Sequence, residues 1–304
     1  MIVAITGANG FIGQHLVRRF TDAGWTVRPV VRRDFASGAI DTLLAGADAV
    51  VHAAGATRAP TARALRESNV ALTERVASAV KAGGVRKLIF VSSQAAAGPA
   101  ASLDEPLADD MACAPVEAYG RSKVDAESVV AASGIPAVVV RPSAVYGPGD
   151  RDFLALFWLA KRGVAIHPGN REHWISIVHV DDLADVVLHA ASADRTGTYF
   201  VANDRPAQWS ELFQLGAECA GVELHMDANL PKIVASAGAL VGDLAAKLTG
   251  HASLMTSGKA ALSRERFWVC SNARAKRELA FHPRVSLRSG MQATYDWYVS
   301  RGWL

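Results

Sequence analysis

Tyr119 and Lys123 stand four residues apart in "YGRSK", a spacing that puts both on one face of a helix. An ammonium beside a phenol stabilises the phenolate, drawing its pKa below the ordinary value of about 10. Such a pair can exchange a proton with a carbonyl or an alcohol. Upstream, "KLIFVSS" (87–93) reads as a buried strand ending in two serines. A serine hydroxyl at that end could hold the same oxygen. Alone, Y-x-x-x-K is common on solvated helix faces, so its weight depends on what precedes it.

What precedes it is a glycine turn. "TGANGFIG" places Gly7, Gly10 and Gly13 between a strand at 2–5 and a helix at 11–22. Gly7 permits the tight turn, Gly10 lets backbone approach a pyrophosphate, and Gly13 lets the helix pack closely. Asn9, Phe11 and Ile12 complete the turn and open the helix, whose free N–H groups and dipole suit phosphates. Together these residues predict a dinucleotide site. The second strand (26–31) ends in "VVRRD". NAD sites place an acid there for the ribose 2′-OH, whereas NADP sites use Arg. Arg32 and Arg33 come first and Asp34 stands further along, so NADP(H) is expected over NAD(H).

These groups need a scaffold. Short V/I/L runs at 2–5, 26–31, 48–54, 87–93, 137–142 and 198–202 alternate with helical patterns. That alternation predicts a Rossmann-type α/β fold, a doubly wound parallel sheet covered on both faces. Pro29 is a blemish in the second strand. The third strand is expected to be abbreviated, with "GAID" its remnant. Residues 1–203 form the predicted core, with a substrate-facing insertion near 163–174. Residues 204–304 form a smaller, mostly helical substrate-binding region, with helices at 209–220, 231–248, 272–280 and 287–300.

The chain has 304 residues, half of them apolar, so a large core is available. A net charge of +3 with scattered arginines gives no footprint for nucleic acid. Cys113, Cys219 and Cys270 form no C-x-x-C pair, so neither a disulfide framework nor a metal site is expected. "MIVAI" runs directly into the glycine turn without a signal-peptide pattern. "IVASAGALVG" (233–242) is too short to span a bilayer. The expected setting is cytoplasmic, without a membrane span.

At this point the chain resembles the extended short-chain dehydrogenase/reductases, which include sugar-nucleotide epimerases and dehydratases, dihydroflavonol reductase-like enzymes and 3β-hydroxysteroid dehydrogenase-like enzymes. The resemblance covers nearly the whole chain. It rests on "TGANGFIG", "DAVVHAAG", "NVALTERV", "FVSS", "YGRSK", "RPSAVYGPGD" and "VHVDDLADVV", in the family's order. It implies a triad of Ser93, Tyr119 and Lys123, with Lys123 also holding the nicotinamide ribose. It implies cofactor contacts from Ala53, Ala54, Gly55 and Asn69, and from the strand end Pro142 to Val145. It also implies a possible homodimer through the helices near 61–82 and 116–132.

His52 and His179 lie in apolar strands and read as structural. Asp181 and Asp182 read as an N-cap. The substrate is less legible. Members resembling the epimerases commonly carry an arginine where Ile175 stands, and the dehydratases carry Asp-Glu where Gln94 and Ala95 stand. Arg264 and Arg266 offer other cations for a diphosphate. Ala95, Ala96 and Ala97 should leave space beside Ser93, and Trp158, Trp174 and Trp268 could wall a pocket. Gln94, Ala95 and Trp174 are the expected substrate contacts. The reading is therefore an oxidoreductase interconverting a ketone and a secondary alcohol on an apolar small molecule. The alternative is a sugar-nucleotide epimerase. A non-catalytic nucleotide-sensing protein stands third.

Overall fold

A computed structural model of the chain describes residues 1–168, 172–230 and 265–304. Its centre is a six-stranded sheet built from β1 (Ile2–Thr6), β2 (Thr26–Val30), β3 (Ala49–His52), β4 (Leu88–Val91), β5 (Ala137–Pro142) and β10 (Gly197–Val201). The order is β10-β5-β4-β3-β1-β2 and every pairing is parallel. Side chains alternate across a strand, and the two faces show it. Val3 and Ile5 pack under α1 (Phe11–Asp22) and α8 (Val180–Ser192). Ala4 packs under α3 (Ile40–Leu44), α5 (Leu72–Ala82) and α6 (Ala118–Ala132). This is the doubly wound α/β fold. Pro29 is tolerated because β2 is an edge strand.

The predicted strand remnant "GAID" is instead helical. Arg32–Ser37 forms α2 and α3 follows, so the chain crosses this edge without adding a strand. The predicted 61–82 helix is also interrupted. It runs as α4 (Ala62–Arg66), a π-helical turn (Glu67–Ala71) and α5. The helices at 209–220 (α9, Trp209–Ala220), 272–280 (α10, Ala273–Leu279) and 287–300 (α11, Leu287–Ser300) are present, whereas 231–248 lies outside the described residues. A further apolar core gathers α9, α11 and α7 (Leu154–Ala160) around the fully buried Tyr146, Phe157 and Tyr298. Tyr146 belongs to β6 (Ala144–Tyr146), which pairs with β9 (Ile177–His179). β7 (Val164–Pro168) pairs with β12 (Met226–Leu230). A small separate sheet joins β8 (Trp174–Ile175), β11 (Ala207–Gln208) and β13 (Phe267–Trp268). All three cysteines are free thiols. Among the described residues no helix is long and apolar enough to cross a membrane.

His52 is structural, and the hydrogen bonds around it fix its tautomer. Thr73 Oγ1 donates to the Asn69 carbonyl at 2.6 Å, so it accepts from His52 Nε2 at 3.0 Å. His52 Nδ1 then accepts from Thr6 Oγ1 at 2.7 Å, and Thr6 Oγ1 accepts the Ala54 N–H at 3.2 Å. Asn69 closes the circuit, its Oδ1 accepting the Ala56 N–H and its Nδ2 donating to the Ala56 carbonyl. β1, β3, α5 and the loop after β3 are thereby tied together by neutral hydrogen bonds. "HVDD" differs from expectation in one respect. The cap of α8 is the His179 side chain, accepting the Asp181 N–H, while Asp182 accepts the N–H groups of Arg284 and Val285.

Burial pushes His52 down from 6.5 to about 3, with the charge of Lys123 acting in the same direction. A histidine depressed in the fold binds its proton first in the unfolded chain. Its contribution to stability is complete above pH 6.5 and is lost as pH falls toward 3. Unfolding titrations of wild type should lose about 1.4 kcal/mol per pH unit more than His52→Gln across this window. Parallel pH profiles for the two proteins would contradict the assignment.

Candidate active site

The carboxyl ends of parallel strands are where ligands bind in this fold, and Ser93, Tyr119 and Lys123 meet there. Ser93 follows β4 and caps the short 3₁₀ turn Gln94–Ala96, its Oγ accepting the Ala95 N–H at 3.1 Å. The same hydroxyl lies near enough to the Tyr119 phenol to favour its ionised form. Ser92 points elsewhere: its hydroxyl donates to Glu127, which also holds Arg141 through two contacts of 3.0 and 2.6 Å. The choice between the adjacent serines therefore follows from the pleat.

The approach of α6 to this turn depends on Gly120. A Cβ there would stand 2.2 Å from the Ala95 carbonyl oxygen. Glu117 caps α6, its carboxylate accepting the N–H groups of Tyr119 and Gly120. Ser122 donates to the Tyr119 carbonyl and accepts from Asn69 Nδ2 at 2.8 Å. Asn69 thus spends both amide protons on protein partners and positions two loops. Gly120, Glu117 and Ser122 had no assigned role in the sequence reading. The only signal for Gly120 was its place after Tyr119.

The electrostatics differ from the expectation that Lys123 lowers the Tyr119 pKa. Burial pushes the phenol up to about 12, the Ser93 hydroxyl pulls the other way, and the Glu117 charge adds to the rise. Lys123 is itself buried. Its Nζ donates to the Val91 carbonyl at 2.8 Å and lies 4.4 Å from the Phe90 ring centre. Burial pushes it down to about 8, against the attraction of Glu127. Tyr119 is consequently a protonated phenol near neutral pH, suited to giving a proton.

The glycine turn fits a dinucleotide phosphate. Gly7 has φ +73°, and a Cβ on it would lie 2.8 Å from the Ala54 nitrogen. A Cβ on Gly13 would lie 2.0 Å from the Gly7 carbonyl oxygen, so α1 starts directly on the turn. Gly10 caps α1 without a side-chain bond, which leaves the first-turn N–H groups for a ligand. Asn9 is exposed and its carbonyl accepts from Gln14. Phe11 stands edge-on to His15, and Ile12 packs on the core. Ala53, Ala54 and Gly55 form the facing loop, and a Cβ on Gly55 would meet Asn69 Oδ1 at 2.7 Å. Pro142 ends β5, and Val145 lies in β6 with its side chain on the core.

At the end of β2, Arg32 and Arg33 are both exposed, and Arg33 lies 3.9 Å from Asp34. The start of α2 folds Asp34 back, so its carboxylate accepts the Val31 N–H at 2.7 Å. An acid therefore does reach the strand end, although its place in the sequence looked too distant.

The three alanines do not leave the space expected of them. Ala96 and Ala97 are buried, and Ala97 sits in a cluster with Phe200, Val269 and Cys270, against which Trp174 and Phe267 pack. Only Ala95 remains half-buried. Trp158 is exposed, with Arg162 3.6 Å over its ring. Trp174 and Trp268 do belong to the small sheet, beside Ile175 and Phe267. Arg266 is ion-paired with Glu172 and leans on Phe267. Arg264 lies outside the described residues. Among the described residues no group of three His, Cys, Asp or Glu side chains is arranged to hold a metal ion.

Residues 3–202 match the NAD dependent epimerase/dehydratase family. Ceramide reductase of Caulobacter vibrioides is 31% identical over 323 residues, spanning 100% of this chain and 96% of that protein. MoeE5, solved with UDP-glucose and NAD, superposes with a TM-score of 0.80 at 23% identity, over 100% of both chains. UDP-glucuronic acid 4-epimerase from Bacillus cereus, solved with UDP-glucuronic acid and NAD, gives 0.76 at 19% identity, over 99% of this chain and 100% of that one. Both complexes contain NAD, which overturns the expected preference for NADP(H) over NAD(H). The physical reason is at the end of β2, where the arginines face water and the acid is folded back. With a glycine turn, a doubly wound sheet and a family match over most of the chain, this protein is a member of the NAD dependent epimerase/dehydratase family and an NAD(P)-binding enzyme of its oxidoreductase/epimerase class.

Proposed function

We propose that the chain reduces a ketone on an apolar, lipid-like molecule to a secondary alcohol, using NADH. The observation that carries the reading is the convergence of Ser93, just after β4, and Tyr119, in the first turn of α6, at the strand end, where Gly120 lets α6 close on the Ala95 carbonyl. When bound, the cofactor supplies a hydride to the carbonyl carbon. Ser93 holds the carbonyl oxygen, and Tyr119 donates its proton to that oxygen as negative charge develops. The Lys123 ammonium, on the same face of α6, stabilises the phenolate left behind. The first turn of α1 holds the pyrophosphate, and Asp34 accepts a ribose hydroxyl. Lys123 and the strand end from Pro142 to Val145 hold the nicotinamide side.

The substrate class is supported by two observations. The Caulobacter ceramide reductase is alike across the whole chain, C-terminal region included. The small sheet offers Trp174, Ile175, Phe267 and Trp268, and Arg266, just before β13, is paired with Glu172. The second reading is an epimerase of UDP sugars. It has the wider support among solved structures, since both compared complexes hold a UDP sugar with NAD. Incubation with long-chain ketones and with UDP-glucose separates the two. Steady NADH consumption with the ketone supports the first reading, and isomerisation without net cofactor change supports the second.

Four outcomes are expected. Tyr119→Phe should lower kcat by about 10²–10⁴-fold while NADH binding, followed by fluorescence, is retained. Lys123 loses its charge above about pH 8, so kcat/KM for reduction should fall about tenfold per pH unit beyond it. Lys123→Arg should abolish that limb, since arginine stays charged. Gly120→Ala places a Cβ 2.2 Å from the Ala95 oxygen and must push α6 off the turn, with a loss of at least about tenfold in kcat. Unchanged kinetics in a folded Gly120→Ala protein would remove the close approach from the account.

A further inference from the structure

Two loops frame the start of α1. One follows β3 and runs from Ala53 to Thr61; the other follows β6 and runs from Gly147 to Asp152. The first is pinned near its root. A Cβ on Gly7 would lie 2.8 Å from the Ala54 nitrogen, and both main-chain groups of Ala56 are bonded to the Asn69 amide. The second is pinned to α1. The Pro148 carbonyl accepts from His15 Nε2 at 2.8 Å, and a Cβ on Gly149 would lie 3.6 Å from the Phe11 ring. Inside this loop the buried Asp150 accepts the N–H groups of Asp152 and Phe153, both at 2.8 Å. The two loops meet through an ion pair between Arg58 and Asp152. Asp150 feels the same cation: burial pushes its carboxyl up to about 6, and the Arg58 charge acts against the rise.

These contacts close a circuit. It runs from the glycine turn to the first loop, across the ion pair to the second loop, and back to α1 at Phe11 and His15. The first-turn N–H groups that suit a pyrophosphate lie on it. A dinucleotide reaching from there to Tyr119 must pass the end of β3, because β3 stands between β1 and β4 in the sheet. Its path therefore passes the root of the first loop. The second loop continues from the strand end that holds the nicotinamide side in the reading above. Most joints of the circuit are main chain packed on main chain or bonds closed off from water. The ion pair is different. Arg58 is 24% exposed and Asp152 49% exposed, so water and salt reach both. Pairs of this kind contribute little and break easily, which makes this the joint that opens.

We propose that the Arg58–Asp152 pair is a gate over the dinucleotide, opening to admit the cofactor and closing to slow its release. The inference rests on the placement of the cofactor along α1 given above, and holds whether the substrate is a ketone or a UDP sugar. The pair acts through the two loops it joins, so its effect falls on the residence time of the cofactor rather than on proton transfer at Tyr119.

The test loads the protein with NADH, chases with excess NAD in a stopped-flow instrument, and reads the release rate from the loss of NADH fluorescence. Arg58→Gln and Asp152→Asn should each speed release by about two- to fivefold. Arg58→Asp sets two acids opposite each other and should speed it further. Adding Asp152→Arg to that variant should return the rate to within about twofold of wild type, which a general loosening of either loop would not do. Arg58→Lys keeps the charge and should stay close to wild type, and melting temperatures within a few degrees of wild type show that each variant is folded. Faster release from Arg58→Gln, with unchanged or slower release from Asp152→Asn, would make Arg58 a direct ligand of the cofactor phosphates and overturn the gate. So would a reversed pair that releases NADH as fast as Arg58→Asp alone. A wild type that binds no NADH removes the cofactor reading itself, whereas tight binding with equal release rates in every variant removes only the gate.

Discussion

The geometry of this molecule depends on backbone meeting backbone with no Cβ between. Gly13 lies on the Gly7 carbonyl, Gly7 lies on the Ala53–Ala54 loop, and Gly120 lies on the Ala95 carbonyl. The first two contacts bring the start of α1 and the loop after β3 to the same edge of the sheet. The third brings a phenol to a serine. At each place the neighbouring atom is main chain, which has no rotamer to relax into. A methyl group there must move an entire element.

Around these contacts, hydrogen bonds between buried polar groups do the positioning. The circuit from Ala54 through Thr6, His52 and Thr73 to Asn69 uses no charge and fixes the loop that faces the glycine turn. Glu127 and Arg141 are the opposite case, a buried ion pair that also engages Ser92 and Cys113. Removing one partner would strand the other charge in the interior. That network uses up Ser92 and leaves Ser93 for the phenol. Function and structure are divided between adjacent residues by the alternation of the strand.

The strands, most helices and the glycine turn were legible because each is a local pattern: an apolar run, a period, a spacing. What was not legible depends on distant partners. "GAID" looked like a worn strand, but nothing in the sequence tells that this edge is crossed by two short helices. Asp34 looked too far from the strand end because residues were counted along an extended chain, and α2 folds it back. The alanines after Ser93 looked like empty room because a small side chain states its own volume and not that of its neighbours. Phe200, Val269 and the small sheet fill it. The phenol was expected to be acidified by its lysine neighbour, but burial acts on both groups and outweighs their proximity.

The π-helical turn at Glu67–Ala71 reads, in genetic terms, as one residue too many in an otherwise regular helix. Deleting a codon there would restore an uninterrupted helix and improve its local hydrogen bonding. It would also rotate everything on one side of the deletion by about 100° relative to the other. Asn69 could then no longer face both Ala56 and Ser122 while Thr73 faces His52. The insertion is a stored irregularity, kept by the tertiary contacts that need it.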